Sequence, residues 1–208
     1  MFANALRIMV QACVEWEPVG SDAALVARAK HGERTAFVEI MKRFQERIYR
    51  LAFRMCRNTA DAEEVTQDTF VQAYRGISSF QGESRLSTWL FRIAINQVLM
   101  RRRAGSRRPV VFLEALAPSD SASLRSSSDR GMSTDDLLHE KRVSQRVLAA
   151  LGQLDDAHRA VLVLRDLEEL SAEDVGEILG ISPTAVRQRA HRARLRLREQ
   201  LADLASHA

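Results

Sequence analysis

The sequence has few cysteines and no long apolar run. Cys13 and Cys56 are the two cysteines in 208 residues, which excludes a disulfide framework and a four-cysteine zinc site and favours a reducing, cytoplasmic environment. The apolar stretch Leu6–Val14 is interrupted by polar residues, and no stretch has the apolar length of a membrane span. We therefore expect neither a signal peptide nor a membrane anchor, and we interpret residues 1–20 as a loosely held N-terminal extension.

Patterns typical of catalysis and metal binding are missing too. No nucleophile–base motif stands out, and there is neither a glycine-rich phosphate loop nor an alternation of strands and helices. Five histidines are widely separated, and none lies in a ligand motif with cysteine or carboxylate residues: His31, His139, His158, His191 and His207. We expect no enzyme activity, no catalytic residue, no metal site and no cofactor.

Basic residues are present and are concentrated in two places. The formal net charge is only +4, but one group of arginines lies at 101–103 and 107–108, and a second lies within 187–198. Two basic groups far apart in sequence indicate two contact zones on a polyanion. For the second group taken alone, a solvated basic helix face is the plainer interpretation.

The C-terminal part of the sequence predicts two helices joined by a tight turn. Ser171 is an N-cap with Asp174 in the capping-box position, and Gly180 suits the left-handed residue that ends a helix. Ser182 then caps a second helix whose first residue is Pro183. A short helix, a three-residue turn and an arginine-rich second helix are typical of a helix-turn-helix that reads DNA.

The first half of the sequence predicts further helices. After a short helix capped by Ser21 or the next residue, apolar residues recur at helical spacing from about Arg34 to Cys56. A third helix is expected over Asp61–Arg75, with acidic residues in its first turn and Tyr74 facing inward. A fourth is expected to begin at about Thr88.

The fourth helix has a second surface besides its apolar stripe. Trp89, Phe91 and Asn96 lie there, followed by the arginines 101–103. Aromatic rings beside amide and guanidinium groups suit an unpaired nucleic-acid strand, on which bases stack and arginine holds the backbone. Burial in the core is the alternative for the two aromatic residues.

The chain therefore divides into two small helical domains, and its fold class is all-α. Residues 21–104 form the first domain, and 135–208 form the second, which contains the helix-turn-helix. Between them, 105–134 is rich in serine with scattered proline and glycine, a composition typical of a flexible linker. The second domain opens with helices at Asp135–Leu151 and Asp155–Leu167, and we expect Arg159, like its neighbour His158, to be exposed.

Two segments resemble one known family. The run DAEEVTQDTFVQAYRGISSFQGESRLSTWLFRIAINQVL, which begins at Asp61, resembles the second conserved region of bacterial sigma factors of the extracytoplasmic-function (ECF) group. The run LSAEDVGEILGISPTAVRQRAHRARLRLRE, which begins at Leu170, resembles their fourth region. Both occur in the family's order and spacing. The resemblance implies a factor that binds core RNA polymerase and directs promoter-specific initiation through −10 and −35 elements.

The resemblance also implies a role for individual positions. The third helix would dock on the clamp helices of the largest polymerase subunit through Glu64, Gln67, Asp68 and Phe70. The −10 element would be bound by the loop before the fourth helix and by that helix, through Ser84, Arg85, Trp89, Phe91, Asn96, Arg101 and Arg102. The −35 element would be read by Thr184, Arg187, Gln188, His191 and Arg192.

Partners and the main alternative follow from the same resemblance. A sigma factor of this group has promoter DNA and core polymerase as partners, is cytoplasmic, and is commonly held inactive by a specific anti-sigma factor. No small-molecule substrate is expected. The alternative is a conventional helix-turn-helix regulator, which would need a ligand-binding or phosphoacceptor domain that the sequence does not show.

Overall fold

The computed structural model of the protein describes residues 21–105 and 145–202, and side chains are described to 102 in the first range. The predicted N-terminal extension at 1–20 lies outside these ranges, as does the predicted linker except for its first residue, Gly105. Every regular element within the two described ranges is helical, in agreement with the predicted fold class.

The first range folds into four helices and one short turn of 3-10 helix. In chain order they are α1 (Asp22–Lys30), α2 (Arg34–Cys56), α3 (Thr59–Gly76), the 3-10 turn (Ile77–Ser79) and α4 (Leu86–Gly105). Helix α2 packs against α1, α3 and α4, so it is the central helix of this group.

The predicted apolar stripe of α2 is confirmed. Ile40, Phe44, Ile48, Leu51 and Met55 recur at three- and four-residue spacing and are buried. Fully burying one such side chain contributes about 1.5–3 kcal/mol to folding. The stripe therefore anchors the other helices of the group.

The second range contains four helices and a π-helical segment. They are α5 (145–153 in its described part), α6 (Asp156–Leu162), the π-helical segment (Val163–Leu167), α7 (Ala172–Leu179) and α8 (Pro183–Gln200). The single helix predicted over Asp155–Leu167 is thus two elements, because the backbone widens into i→i+5 bonding after Leu162. The part of the predicted Asp135–Leu151 helix before residue 145 lies outside the described residues.

Each predicted cap of the helix-turn-helix is present. The Ser171 hydroxyl accepts from the amide of Asp174, whose carboxylate accepts from the amide of Ser171 in return. Gly180 ends α7 in the left-handed region at φ 66°, and the Ser182 hydroxyl caps α8 by accepting from the Ala185 amide. The caps fix where each helix begins and ends.

Several boundaries and exposures differ from the prediction. Helix α3 begins at Thr59, because the side chain of Asn58 accepts from the Asp61 amide and caps it earlier. Helix α4 begins at Leu86, where the Trp89 amide already donates to the Arg85 carbonyl oxygen 3.1 Å away. Tyr74 was predicted to face inward, but it is 50% exposed, with one ring edge packed on Phe37.

The two helical groups contact each other. Helix α4 packs along α7, and α2 approaches α6 and the π-helical segment. Buried apolar side chains from both groups form one continuous cluster. Across 21–105 and 145–202, no helix combines the length and apolar character needed to cross a bilayer.

Candidate nucleic-acid and polymerase interface

Helix α8 presents all five predicted −35 residues on its outer surface. Its inner face is buried through Val186, Ala190, Ala193 and Leu197, which recur at helical spacing and pack on the rest of the second group. The outer face near the N-terminus of the helix consists of exposed side chains: Thr184, Arg187, Gln188, His191 and Arg192. These residue types offer donors and acceptors that suit base edges and phosphates.

The turn between α7 and α8 holds that surface in place. The Ile181 amide donates to the carbonyl oxygen of Gly176 at 3.0 Å, so the chain crosses back over the last turns of α7. A Cβ atom at Gly176 would lie 2.7 Å from the Ile181 carbonyl oxygen. Because that distance is below van der Waals contact, only glycine allows the two helices to cross this closely.

Acidic residues divide the arginines of α8 into two kinds. Arg194 forms an ion pair with Asp166, whose side chain is 8% exposed, and the hydrogen bond between them raises the pKa of Arg194. Arg196 donates to Asp155 at 2.9 Å. These two arginines face other parts of the fold, whereas Arg192 forms no ion pair within the described residues. In the N-terminal part of the helix, Arg187 has a longer and more exposed contact, 3.4 Å to Glu173.

The predicted polymerase-docking residues share one face of α3, with one exception. Glu64 and Gln67 are exposed, Asp68 is partly exposed, and Val71 beside them is 48% exposed. Phe70 is only 5% exposed and belongs to the core, because its position in the helical repeat falls on the inner face. In this arrangement Phe70 lies beneath the predicted docking face and does not form part of it.

Arg101 joins two of the predicted sites. It was assigned to the −10 surface, yet its guanidinium pairs with Glu64 and, at 3.0 Å, with Asp68 of the docking face. The hydrogen bond from Arg101 lowers the pKa of Glu64, and the same bond raises the pKa of Arg101. The two predicted surfaces are thus electrostatically connected through one side chain.

The remaining predicted −10 residues differ in accessibility. Arg85 and Asn96 are exposed, and Ser84 is partly exposed in the loop before α4. Trp89 is partly buried, with its ring centroid 5.0 Å from that of Phe80. Phe80 and Trp89 therefore support each other, and Trp89 keeps an accessible side.

Phe91 and Arg102 are engaged within the protein. Phe91 is completely buried, and the guanidinium carbon of Arg47 lies 5.0 Å from its ring centroid. Arg102 donates to the Met55 carbonyl oxygen at 2.8 Å and pairs with Asp156. In this arrangement the ring of Phe91 offers no surface on which a base could stack.

Two important residues are not signalled by the sequence pattern. Arg159 was predicted to be exposed, but it is 3% exposed, because its guanidinium satisfies backbone carbonyl groups at the ends of two helices. Glu168, 8% exposed, is a buried acid that pairs with two arginines of α2. Neither lies in a motif, and each has a partner in α2 that is more than 100 positions away in the chain. Among the described residues, no cluster of three or more histidine, cysteine or acidic side chains could hold a metal ion.

An exposed basic helix on a helix-turn-helix, within described ranges whose regular elements are all helical, is typical of a DNA-binding protein. Comparison with known families is more specific. The family pattern described as Sigma-70 region 2 matches residues 40–108, and the pattern described as Sigma-70, region 4 matches residues 144–197.

Characterised relatives match nearly the whole chain. The ECF RNA polymerase sigma factor SigW of Bacillus subtilis (strain 168) is 35% identical over 182 residues, which cover 86% of this chain and 96% of that protein. The RNA polymerase sigma-H factor of Pseudomonas aeruginosa is 33% identical over 193 residues, which cover 90% of this chain and 97% of that protein.

Solved structures agree with these relatives. The structure of CnrH in complex with the cytosolic domain of CnrY matches with a TM-score of 0.63 and 26% identity, covering 88% of this chain and 97% of that one. The sigma factor RpoE in complex with the anti-sigma factor NepR from Bartonella quintana matches with a TM-score of 0.62 and 25% identity. The match covers 80% of this chain and 96% of that one.

The chain belongs to the ECF RNA polymerase sigma factors. It is a transcription initiation factor.

Proposed function

We propose that this sigma factor divides promoter recognition between its two helical groups. Residues 21–104 bind core polymerase and the −10 element, and residues 135–208 bind the −35 element. The observation that carries the proposal is the exposed face of α8, with all five matching residues on a capped helix-turn-helix. The factor performs no bond chemistry itself and acts in the cytoplasm, where polymerase and promoter DNA are both available.

The −35 element is read in the major groove by the first three turns of α8. Residues near the N-terminus of a recognition helix are the ones that reach base edges. Arg187 and Arg192 can donate to guanine or phosphate, and Gln188 can pair with adenine. Thr184 and His191 lie on the same exposed face and complete the contact surface.

The −10 element is bound as an unpaired strand by the loop before α4 and the exposed part of α4. Ser84, Arg85 and Asn96 are accessible there, and Trp89 has a partly open ring. Stacking on an aromatic ring and contact with arginine suit an unstacked strand of any sequence, and amide groups add base preference. The geometry supports Trp89 over Phe91 as the stacking ring, because Phe91 is fully buried.

Core polymerase docks on the face of α3 formed by Glu64, Gln67 and Asp68, with Val71 beside them. A mixed acidic and apolar face suits a partner surface that is basic with an apolar centre. We assign the clamp helices of the largest subunit as that surface.

An anti-sigma factor is the third partner that we propose. CnrH and RpoE, the two matching structures described above, were each solved as a complex: CnrH with the cytosolic domain of CnrY, and RpoE with the anti-sigma factor NepR. Both likenesses extend over most of this chain, so the same class of partner fits here.

A run-off transcription assay tests the proposed function. Core polymerase and a genomic promoter library are incubated with the full chain, with Arg192→Ala and with the matched control Arg198→Ala, which removes an exposed arginine from the last turn of the same helix. We expect discrete transcripts from the wild type and the control, and weaker ones from Arg192→Ala. If the wild type yields no transcripts and does not bind core polymerase, the chain is instead a conventional helix-turn-helix regulator.

A further inference from the structure

An acid of α7 contacts one of the residues predicted to read the −35 element. The Nη1 group of Arg187 donates to Oε1 of Glu173 at 3.4 Å, and the two side chains are 59% and 67% exposed, respectively. The other predicted −35 residues of α8 form no ion pair within the part of the chain that the structure describes. Glu173 therefore lies at the edge of the reading surface, although it belongs to the first turn of α7.

The crossing of α7 and α8 brings these two side chains together. At the crossing, a Cβ atom on Gly176 would lie 3.6 Å from the backbone nitrogen of Pro183, so the two backbones approach closely there. Glu173 lies three residues before Gly176, and Arg187 lies four residues after Pro183. Residues three or four apart share a helix face, so each side chain of the pair lies one turn away from the crossing. The caps that fix the two helices therefore also hold the backbones that carry the pair.

The contact leaves one edge of the Arg187 guanidinium free to read a base. A guanidinium has five N–H donors in a plane, and the contact with Glu173 uses Nη1 alone. Arg194 differs, because it donates from both Nε and Nη2 to Asp166. The Nε–Nη2 edge of Arg187 can therefore donate to both acceptors of a guanine, O6 and N7, while Nη1 stays with Glu173. Because the group is planar, a carboxylate at Nη1 restricts the orientation of the opposite edge.

The charge of Glu173 also acts on the DNA backbone. When a helix-turn-helix binds, its second helix enters the major groove and its first helix crosses the phosphate backbone. A carboxylate in the first turn of α7 repels those phosphates, and a guanidinium that already has an acidic partner gains less from a phosphate contact. The edge of a base carries no net charge, so the same carboxylate opposes a base contact less. Glu173 therefore weakens binding to phosphates more than binding to a guanine.

We propose that Glu173 is a positioning residue, which orients Arg187 toward a guanine of the −35 element and reduces binding of that guanidinium to phosphates of any sequence. This proposal rests on the proposed function, because it takes α8 as the helix that reads the −35 element. Glu173 acts through Arg187 and raises the ratio of specific to non-specific affinity. An acid that served only the dipole of α7 would affect the stability of the helix and leave this ratio unchanged.

Fluorescence anisotropy of the full-length chain with two labelled duplexes tests the role of Glu173. One duplex is the −35 element of a promoter that the wild type transcribes, and the other has the same base pairs in shuffled order. We expect Glu173→Ala to bind the shuffled duplex more tightly than the wild type does, and to lower the ratio of the two affinities by about 3- to 5-fold. An unchanged ratio would overturn the proposal.

Two further variants control that measurement. Glu199→Ala removes an equally charged, exposed side chain from the last turn of α8. We expect it to change both affinities by the same factor, since its charge lies about 18 Å along the helix from Arg187. Glu173→Gln removes the charge alone and replaces Glu173→Ala if circular dichroism shows that the alanine variant is unfolded.

A double-mutant cycle separates positioning of Arg187 from a direct effect of the acid on DNA. In an Arg187→Ala background, Glu173→Ala should leave the affinity ratio unchanged, because the side chain through which the acid acts is gone. An equal fall of the ratio in both backgrounds would overturn the positioning role. If the wild type binds the two duplexes equally, α8 does not read this element, and both the −35 assignment and the role of Glu173 are wrong. A wild-type preference that Glu173→Ala retains in full contradicts the role of Glu173 alone.

Discussion

The arginines of α8 show how the neighbour of a side chain decides its role. Arg194 and Arg196 each pair with an acid from an earlier part of the fold, whereas Arg192, exposed on the same helix, forms no ion pair within the described residues. A guanidinium held by a carboxylate must lose that partner before it binds phosphate, so it contributes less to DNA affinity. The number of arginines in the segment therefore overstates the number that can read DNA.

Arg192→Ala should weaken −35 binding. A bidentate base contact discriminates by about 1–3 kcal/mol, so we expect a loss of roughly 10- to 100-fold in affinity for a −35 duplex, with polymerase binding intact. Fluorescence anisotropy with a labelled duplex measures the change, and Arg198→Ala is the control. Equal affinities for Arg192→Ala and the wild type would remove this residue from the reading surface.

Asp68→Ala should weaken core polymerase binding without unfolding the protein. The carboxylate is 46% exposed and is partly occupied by Arg101, so it supports docking and not the core. A hydrogen bond to a charged group contributes about 1.5–3 kcal/mol, which is the expected loss in a quantitative pull-down. Glu63→Ala, an exposed acid elsewhere on α3, is the control. Wild-type retention of Asp68→Ala on core polymerase would place docking elsewhere.

Cys56 should be a slow nucleophile. Burial raises the pKa of its thiol to about 11, with a smaller opposing influence from nearby arginines. At pH 8 a thiol of that pKa is about 0.1% thiolate, against about a quarter for an ordinary cysteine, so alkylation should be roughly 100-fold slower. The rate should then rise about tenfold per pH unit up to the thiol pKa, since only the thiolate reacts.

Mass spectrometry of a Cys13→Ser variant treated with iodoacetamide measures that rate. The same protein in denaturant, where the thiol regains its ordinary pKa, is the reference. Equal rates in the folded and denatured protein at pH 8 would contradict the burial argument and revive a redox role for this residue.

At the scale of elements, the helix-turn-helix depends on two glycines for different reasons. Gly180 has φ 66° and open space around the position of a Cβ atom, so its requirement is conformational. Gly176 has ordinary helical geometry, but a Cβ atom there would meet the Ile181 backbone. Both positions therefore determine how α7 crosses α8.

Gly176→Ala should destabilise the protein more than Gly180→Ala does. Alanine in the left-handed region costs roughly 1–2 kcal/mol, whereas the steric contact at Gly176 requires the turn itself to shift. Thermal unfolding followed by circular dichroism ranks the two variants. In an open helix, Gly→Ala stabilises by up to about 1 kcal/mol, so a higher melting temperature for Gly176→Ala would contradict the close crossing.

At the scale of the whole molecule, buried and exposed charges should respond differently to salt. Salt screens exposed charges within about 10 Å at 0.1 M, but it hardly reaches the Glu168–Arg54 pair, whose side chains are 4% and 7% exposed. We expect the radius of gyration of the free chain to stay constant between low and high salt, while affinity for a −35 duplex falls steeply.

Small-angle X-ray scattering and anisotropy in the same salt series check this expectation. Glu168→Ala removes the acid of the buried pair and should let the two helical groups separate, so its radius of gyration is the reference for the scattering measurement. Expansion of the wild type at high salt to the radius of that variant would show that exposed pairs, such as Arg92–Glu177, hold the two groups together and that the buried pair does not.

Local patterns in the sequence determine most of the secondary structure and the choice of family. The caps at Ser171 and Ser182, the left-handed Gly180 and the apolar stripe of α2 were all predicted, because each depends on residues within one or two turns. The exposed face of α8 was predicted for the same reason. Most errors concerned ends and faces, as at Tyr74 and the start of α4, where small shifts in register decide which side chain is covered. One concerned an element, since the helix predicted over Asp155–Leu167 changes to π-helical bonding after Leu162.

Only the tertiary structure decides which charges are buried and what they join. Glu168, Arg54 and Arg159 read in sequence as ordinary surface residues, yet they form the contact between the two helical groups. The physical reason is that a buried ion pair depends on desolvation and on partners brought together from distant parts of the chain, and neither leaves a periodic signal. The sequence by itself determined what class of protein this is, and the packing of its two halves decided which charged residues are buried between them.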